Sequence, residues 1–102
     1  MTVYNKLVRD RIPEMIRAQG ETPLTRVLGD VEYTAMLEAK LDEEVREYHS
    51  DRNLEELADI LEVVYALAEN MGYTRQELES AYDRKHETRG GFRERIYLIS
   101  KE

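Results

Sequence analysis

Between residues 30 and 90 the apolar positions recur at steps of three and four, the period of an α-helix, and not at the alternate positions of a strand. Met36, Leu37, Leu41, Val45 and Tyr48 form one such stripe, with Asp30 placed to cap its helix and Ser50 to Arg52 interrupting it. A second stripe runs through Leu57, Ile60, Leu61, Val64, Leu67, Ala68 and Met71. It opens on Asn53, with Glu56 three residues on as in a capping box, and closes at Gly72, suited to a left-handed C-terminal position. Thr74 and Glu77 make a better capping box for a third helix that carries Leu78, Ala81, Tyr82 and Lys85 and stops before Gly90 and Gly91. A shorter helix is expected over Ile12 to Ala18, with Pro13 in its first turn and Gly20 beyond its end.

Thr25 to Leu28 and Ile96 to Ile99 have the composition of short strands but are too few to define a sheet. No internal repeat, linker or low-complexity stretch divides the chain. The expectation is a single all-α domain over residues 1–102, about four helices with a minor C-terminal strand or hairpin, and 102 residues leave room for one core.

Charge sharpens this picture more through its placement than through its total. The net charge is −7, which argues against a nucleic-acid groove binder. Nine acids against only Arg46 and Arg52 lie between Asp42 and Glu62, whereas both ends of the chain carry more bases than acids. The chain is thus basic, acidic, basic, and its acidic middle suits a cation. With no cysteine, disulfide scaffolds, zinc knuckles and thiol nucleophiles are excluded. No long apolar run and no leader-like start is present, so a cytoplasmic protein without a membrane segment is expected.

The acids have a spacing. Glu43, Glu44 and Glu47 form E-E-x-x-E on the first long helix, within an arc of about 100°. Glu56 and Asp59 form E-x-x-D on the next. The turn between the helices is too short for anything but an antiparallel hairpin, in which residues whose numbers add to the same total share a height. Glu47 then faces Glu56, and Glu44 faces Asp59. Like charges about 5 Å apart repel by about 0.8 kcal/mol per pair in water, and more where water is excluded. A hard cation held by oxygen ligands, Mg²⁺ with Mn²⁺ as a substitute, relieves that repulsion. A di-iron carboxylate site wants Glu-x-x-His on two helices, and Arg46 and Glu47 stand at those positions instead.

With these motifs the chain resembles the all-α nucleoside triphosphate pyrophosphatases, the MazG-like superfamily, which includes the phosphoribosyl-ATP pyrophosphatases. Lys40-Leu41 and Ile60-Leu61 resemble the flanks of the family's two motifs. The opening Tyr4-Asn5-Lys6-Leu7-Val8-Arg9-Asp10 and the ending Arg89-Gly90-Gly91-Phe92 are similar to those of a compact subgroup of predicted house-cleaning enzymes. The segment Tyr48 to Glu55 between the motifs is shorter than is usual there. The resemblance implies hydrolysis between the α and β phosphates of a nucleotide, with metal ligands at Glu44, Glu47, Glu56 and Asp59. Glu43 is the catalytic candidate, either as the base for a bound water or as a support for the ligands. Lys6, Arg9, Lys85, Arg89 and Arg95 are the candidates for phosphate, and Phe92 for the base. The alternatives are a phosphoribosyl-ATP pyrophosphatase of histidine biosynthesis and a non-catalytic acidic helical binding module.

The second helix also predicts a partner. From Leu57 to Ala68 it is polar only at Asp59 and Glu62, leaving Ala58, Val63 and Ala66 off its main stripe. A helix apolar on several sides needs cover on several sides, and a homo-oligomer, a dimer or a dimer of dimers, supplies it.

Overall fold

The computed structural model describes residues 1–102 and contains four helices and no strand. They are α1 (Ile12–Ala18), α2 (Asp30–Asp51), α3 (Leu54–Asn70) and α4 (Arg75–Arg89). The expected strand or hairpin at Ile96 to Ile99 is absent, as is the one at Thr25 to Leu28. The reason is physical: neither segment has an edge to pair with, and an isolated strand leaves its backbone groups unbonded. Ile96, Tyr97, Leu98 and Ile99 are exposed throughout.

The helix ends follow the local chemistry. Thr74 and Glu77 form a complete capping box, each side chain accepting from the other's backbone N–H at 3.1 Å. Asn53 Oδ1 accepts from the Glu56 N–H at 2.9 Å, but the Glu56 carboxylate does not reach back, so the box is only half made. At the end of α3, Tyr73 N–H donates to Ala68 C=O and Gly72 N–H to Glu69 C=O, with Gly72 at φ +95°: a Schellman closure that needs glycine. The start of α2 differs from expectation. Gly29 occupies the cap without a side-chain bond, and Asp30 lies inside the first turn, where its charge complements the helix dipole.

Helices α2 and α3 pack as an antiparallel hairpin across a two-residue turn, Arg52 and Asn53, with Arg52 left-handed at φ +48°. Far from that turn, Asn70 Nδ2 donates to Thr34 Oγ1 at 2.9 Å, fixing the register at the other end. Between them Leu37, Val63 and Ala68 are buried, flanked by half-buried Leu41, Val45, Ile60, Val64 and Leu67. The face that α3 turns to α2 is rotated from the expected stripe. Val63 is in the core, while Leu54, Leu57 and Leu61 form an outer row exposed by 76%, 46% and 48%.

Helix α4 docks on the far half of α3, where the Tyr65 hydroxyl donates to Glu79 at 3.1 Å and the Arg75 guanidinium lies 4.1 Å from the Tyr65 ring. Beyond Ala81 it is exposed, and α1 packs against no other helix. The result is an open shape, 60 × 32 × 24 Å, with a radius of gyration of 17.8 Å where a compact chain of this length has about 13 Å. Its accessible surface is 9640 Å², against about 6,000 Å² for a compact 12.0 kDa globule. No helix is long and apolar enough to cross a membrane.

Candidate metal centre

The hairpin places Glu44 of α2 against Glu56 and Asp59 of α3, one turn apart on α3. Each residue offers a carboxylate oxygen, and the three oxygens lie within 4.8 Å of one another. Oxygens bonded to one small divalent ion lie about 3–4 Å apart, so modest side-chain adjustment would close this set on such an ion. Glu44 is the one buried charged residue of the chain, 6% exposed. One of its oxygens lies 3.2 Å from Lys40 Nζ, and the other, Oε2, is buried without a hydrogen-bond partner. Glu56 Oε2 is in the same condition. Two orphaned carboxylate oxygens, one on each of two residues of the same cluster, are costly to keep, and the hard oxygen donor set fits Mg²⁺ or Mn²⁺.

The electrostatics agree with the geometry. Burial pushes the Glu44 carboxyl above its ordinary value; Lys40 opposes that shift, and the charges of Glu47 and Asp59 add to it. Loss of solvent also raises Glu56, helped by the charges of Glu47, Asp59, Asp51 and Glu44. Glu43 goes the other way. Partial burial raises its carboxyl, but bonds from Lys40 to Oε2 and from Lys6 to Oε1, each at 3.1 Å, outweigh burial and hold it below the ordinary range.

Of the four expected ligands, three therefore converge. Glu47, on the following turn of α2, is exposed and outside the close set, though its charge is felt by both Glu44 and Glu56. Lys6 and Arg9 do reach the acids: Lys6 bonds Glu43, and Arg9 Nη2 donates to Asp59 Oδ1 at 2.7 Å. Lys40 is the cation that sequence reasoning passed over. Its signal was the helical i, i+3 and i, i+4 spacing to Glu43 and Glu44, which puts an ammonium beside both acids.

No family model and no solved structure matches the chain. An uncharacterized protein of Mycolicibacterium smegmatis is 69% identical over 42 residues, a match that covers 41% of this chain and 43% of that protein. The chain thus spans less than half of that relative's length, and the likeness assigns neither family nor activity.

The basic end of the chain is apart from the acids. Lys85 and Arg89 line an exposed face of α4 with Arg84 and Thr88, Phe92 is 97% exposed, and Arg95 sits in a left-handed turn at φ +59°. None of their side chains is ion-paired or hydrogen-bonded to the carboxylates within one chain.

Proposed function

We propose that this chain is a Mg²⁺-dependent nucleoside triphosphate pyrophosphohydrolase, with Mn²⁺ able to substitute. It cleaves between the α and β phosphates to give a nucleoside monophosphate and pyrophosphate, in the clearance of noncanonical nucleotides. The observation that carries the reading is the buried Glu44 with an unpartnered oxygen, set against Glu56 and Asp59. A divalent ion bound there supplies a Lewis acid for phosphate oxygens and a bound water of lowered pKa. Glu44, Glu56 and Asp59 hold that charge in place, and Glu47 is one turn away as a fourth ligand. Glu43 neighbours the ligands, and both of its oxygens are already engaged, one by Lys6 and one by Lys40, which favours the supporting role of holding those two cations beside the acids.

Phosphate needs more cations than the acids and their neighbours supply. In this reading the functional unit is a homo-oligomer, in which Lys85, Arg89, Phe92 and Arg95 of a neighbouring copy approach the acids of this one. The excess of accessible surface over that of a compact globule supports it, as does the basic, acidic, basic order of the chain.

The test is incubation of the protein with Mg²⁺ and a panel of ordinary and damaged nucleoside triphosphates, with products separated by anion exchange. Monophosphate and pyrophosphate are expected, and neither should form in chelator. Release of diphosphate and orthophosphate, or no turnover by a protein that binds metal, would overturn the reading. Exclusive use of phosphoribosyl-ATP would move the chain to histidine biosynthesis.

A further inference from the structure

The segment that carries Lys6 and Arg9 is attached to the molecule in an unusual way. Residues 1–8 make no backbone–backbone hydrogen bond, and α1, which follows, packs against no other helix. Only Leu7 among residues 1–10 is even half-buried. What ties this segment to the hairpin is charge. Lys6 bonds Glu43 on α2 and Arg9 bonds Asp59 on α3, one cation per helix, so the segment spans the two helices that build the acid cluster. Asn5, left-handed at φ +46°, makes the turn that leads into Lys6, a conformation that asparagine accepts at small cost. Both pairs are partly solvated, with side-chain exposures of 52% and 39% for Arg9 and Asp59 and of 42% and 23% for Lys6 and Glu43. Such pairs are weak and exchangeable.

We infer that the N-terminal segment is an internal counter-ion strap: Arg9, with Lys6 beside it, neutralises the carboxylates while the metal is absent, is displaced from Asp59 when a divalent cation enters, and then closes on the polyphosphate. The inference rests on the metal reading above. Its logic is charge balance. Arg9 bonds an acid that belongs to the convergent set, so an incoming doubly charged ion meets a guanidinium already competing for the same carboxylate. With metal bound, the acids no longer need the strap, and the strongest remaining negative charge nearby is that of the substrate's phosphates, which an arginine fork grips in two bonds. The strap is free to make that move because residues 1–8 have no backbone bonds to break, and the one at Arg9, whose C=O accepts from Ile12 N–H at 3.0 Å, ties it only to α1, which packs against no other helix.

The experiment uses the full chain with Mn²⁺ and a non-hydrolysable nucleoside triphosphate. The fluorescence anisotropy of a dye attached at Thr2→Cys, in a full chain with no other cysteine, should fall on addition of Mn²⁺ alone and rise above its apo value when the triphosphate follows. Arg9→Gln should bind Mn²⁺ at least threefold more tightly by titration calorimetry, because a competitor has gone, yet bind the triphosphate on the metal-loaded protein at least tenfold more weakly. Arg9→Lys should restore Mn²⁺ affinity to near wild type. Opposite signs for metal and nucleotide are the signature. If Arg9→Gln binds Mn²⁺ as the wild type does, or more weakly, Arg9 is a surface pair or a support for Asp59 and the strap is wrong. If it binds metal more tightly and nucleotide normally, Arg9 is a competitor alone, and the closing step is wrong. Failure of the wild type to bind Mn²⁺ at all would instead remove the metal reading on which the strap rests, and the strap with it.

Discussion

Glu44 concentrates the energetic conflict of this molecule, a carboxylate 6% exposed with one oxygen near Lys40 and the other unpaired. Glu44→Gln removes a charge from the cluster and adds an amide that can donate to Glu56 or Asp59, so the metal-free protein should gain about 1 kcal/mol, some 4–8 °C in melting temperature for a chain of this size. The same change deletes a ligand: turnover should vanish and Mn²⁺ should no longer raise the melting temperature. Thermal melts in chelator and in Mn²⁺, beside product assays, check both halves, and wild-type activity in this variant would sink the metal assignment. The raised carboxyls of Glu44 and Glu56 give a second prediction. Both bind a proton more tightly folded than unfolded, so their contribution to metal-free stability is present below the ordinary value near 4.5 and is lost as pH rises through the raised folded values. Glu43 contributes in the opposite sense, with stability present above the ordinary value and lost as pH falls through its lowered one. Melts in chelator from pH ~5 to ~7 should therefore fall with rising pH, and saturating Mn²⁺, which binds the deprotonated acids, should reverse the slope. An unchanged slope in Mn²⁺ would mean that these acids do not meet the ion. At this scale the acids were legible because helical spacing sets direction: Glu44, Glu56 and Asp59 converge as their numbers require. What spacing cannot set is which side chains turn to solvent. Glu47 has the right height and is exposed, and whether Lys40 joins the acids depends on a rotamer, not on a position.

Among the elements, the helix starts are where single side chains hold most. Thr74 and Glu77 satisfy two backbone donors of α4, which has little packing beyond Leu78 and Ala81 to sustain it. Thr74→Ala should therefore cost about 1 kcal/mol and fray α4 at its start, seen as faster amide exchange over residues 75–78 with the α2–α3 hairpin unaffected. Asn53→Ala should cost a similar amount but act on the hairpin, since α3 begins there and carries two of the three converging acids in its first two turns. Weaker Mn²⁺ binding in Asn53→Ala but not in Thr74→Ala is the expected pattern. The elements themselves could be read from the chain wherever a cap and a 3.6-residue period coincide, as at Thr74, Asn53 and Gly72. They could not be read where only composition spoke. Ile96 to Ile99 has the residues of a strand, but a strand is a relation between two segments, and no second segment lies beside it.

The whole molecule does not close on itself. A surface of 9640 Å² exceeds that of a compact 12.0 kDa chain by about 3,600 Å², so burying even a third to a half of that excess on each of two copies reaches the total of about 2,000 Å² or more that obligate oligomers bury. The apolar part of that excess has an address: Leu54, Leu57 and Leu61 run along the outer side of α3, turned away from α2, at the steps that form one helical row. The fourth helix covers only the far half of α3, and α1 covers none of it. A second copy meeting that row across a two-fold axis would bury it without adding new sequence, and the basic ends of the chain could then lie against the partner's acidic hairpin. Light scattering at micromolar concentration should accordingly give a particle of at least twice 12.0 kDa, and the melting temperature should rise with protein concentration. Leu57→Glu with Leu61→Glu puts four like charges where the contact is expected and should split the assembly, with loss of turnover. Because both leucines are about half exposed within one chain, the change costs that chain little packing, and the hairpin helices should survive by circular dichroism. A 12.0 kDa particle with full activity would mean that the outer row is simply solvated, and that the carboxylates and every cation they need for phosphate belong to a single chain.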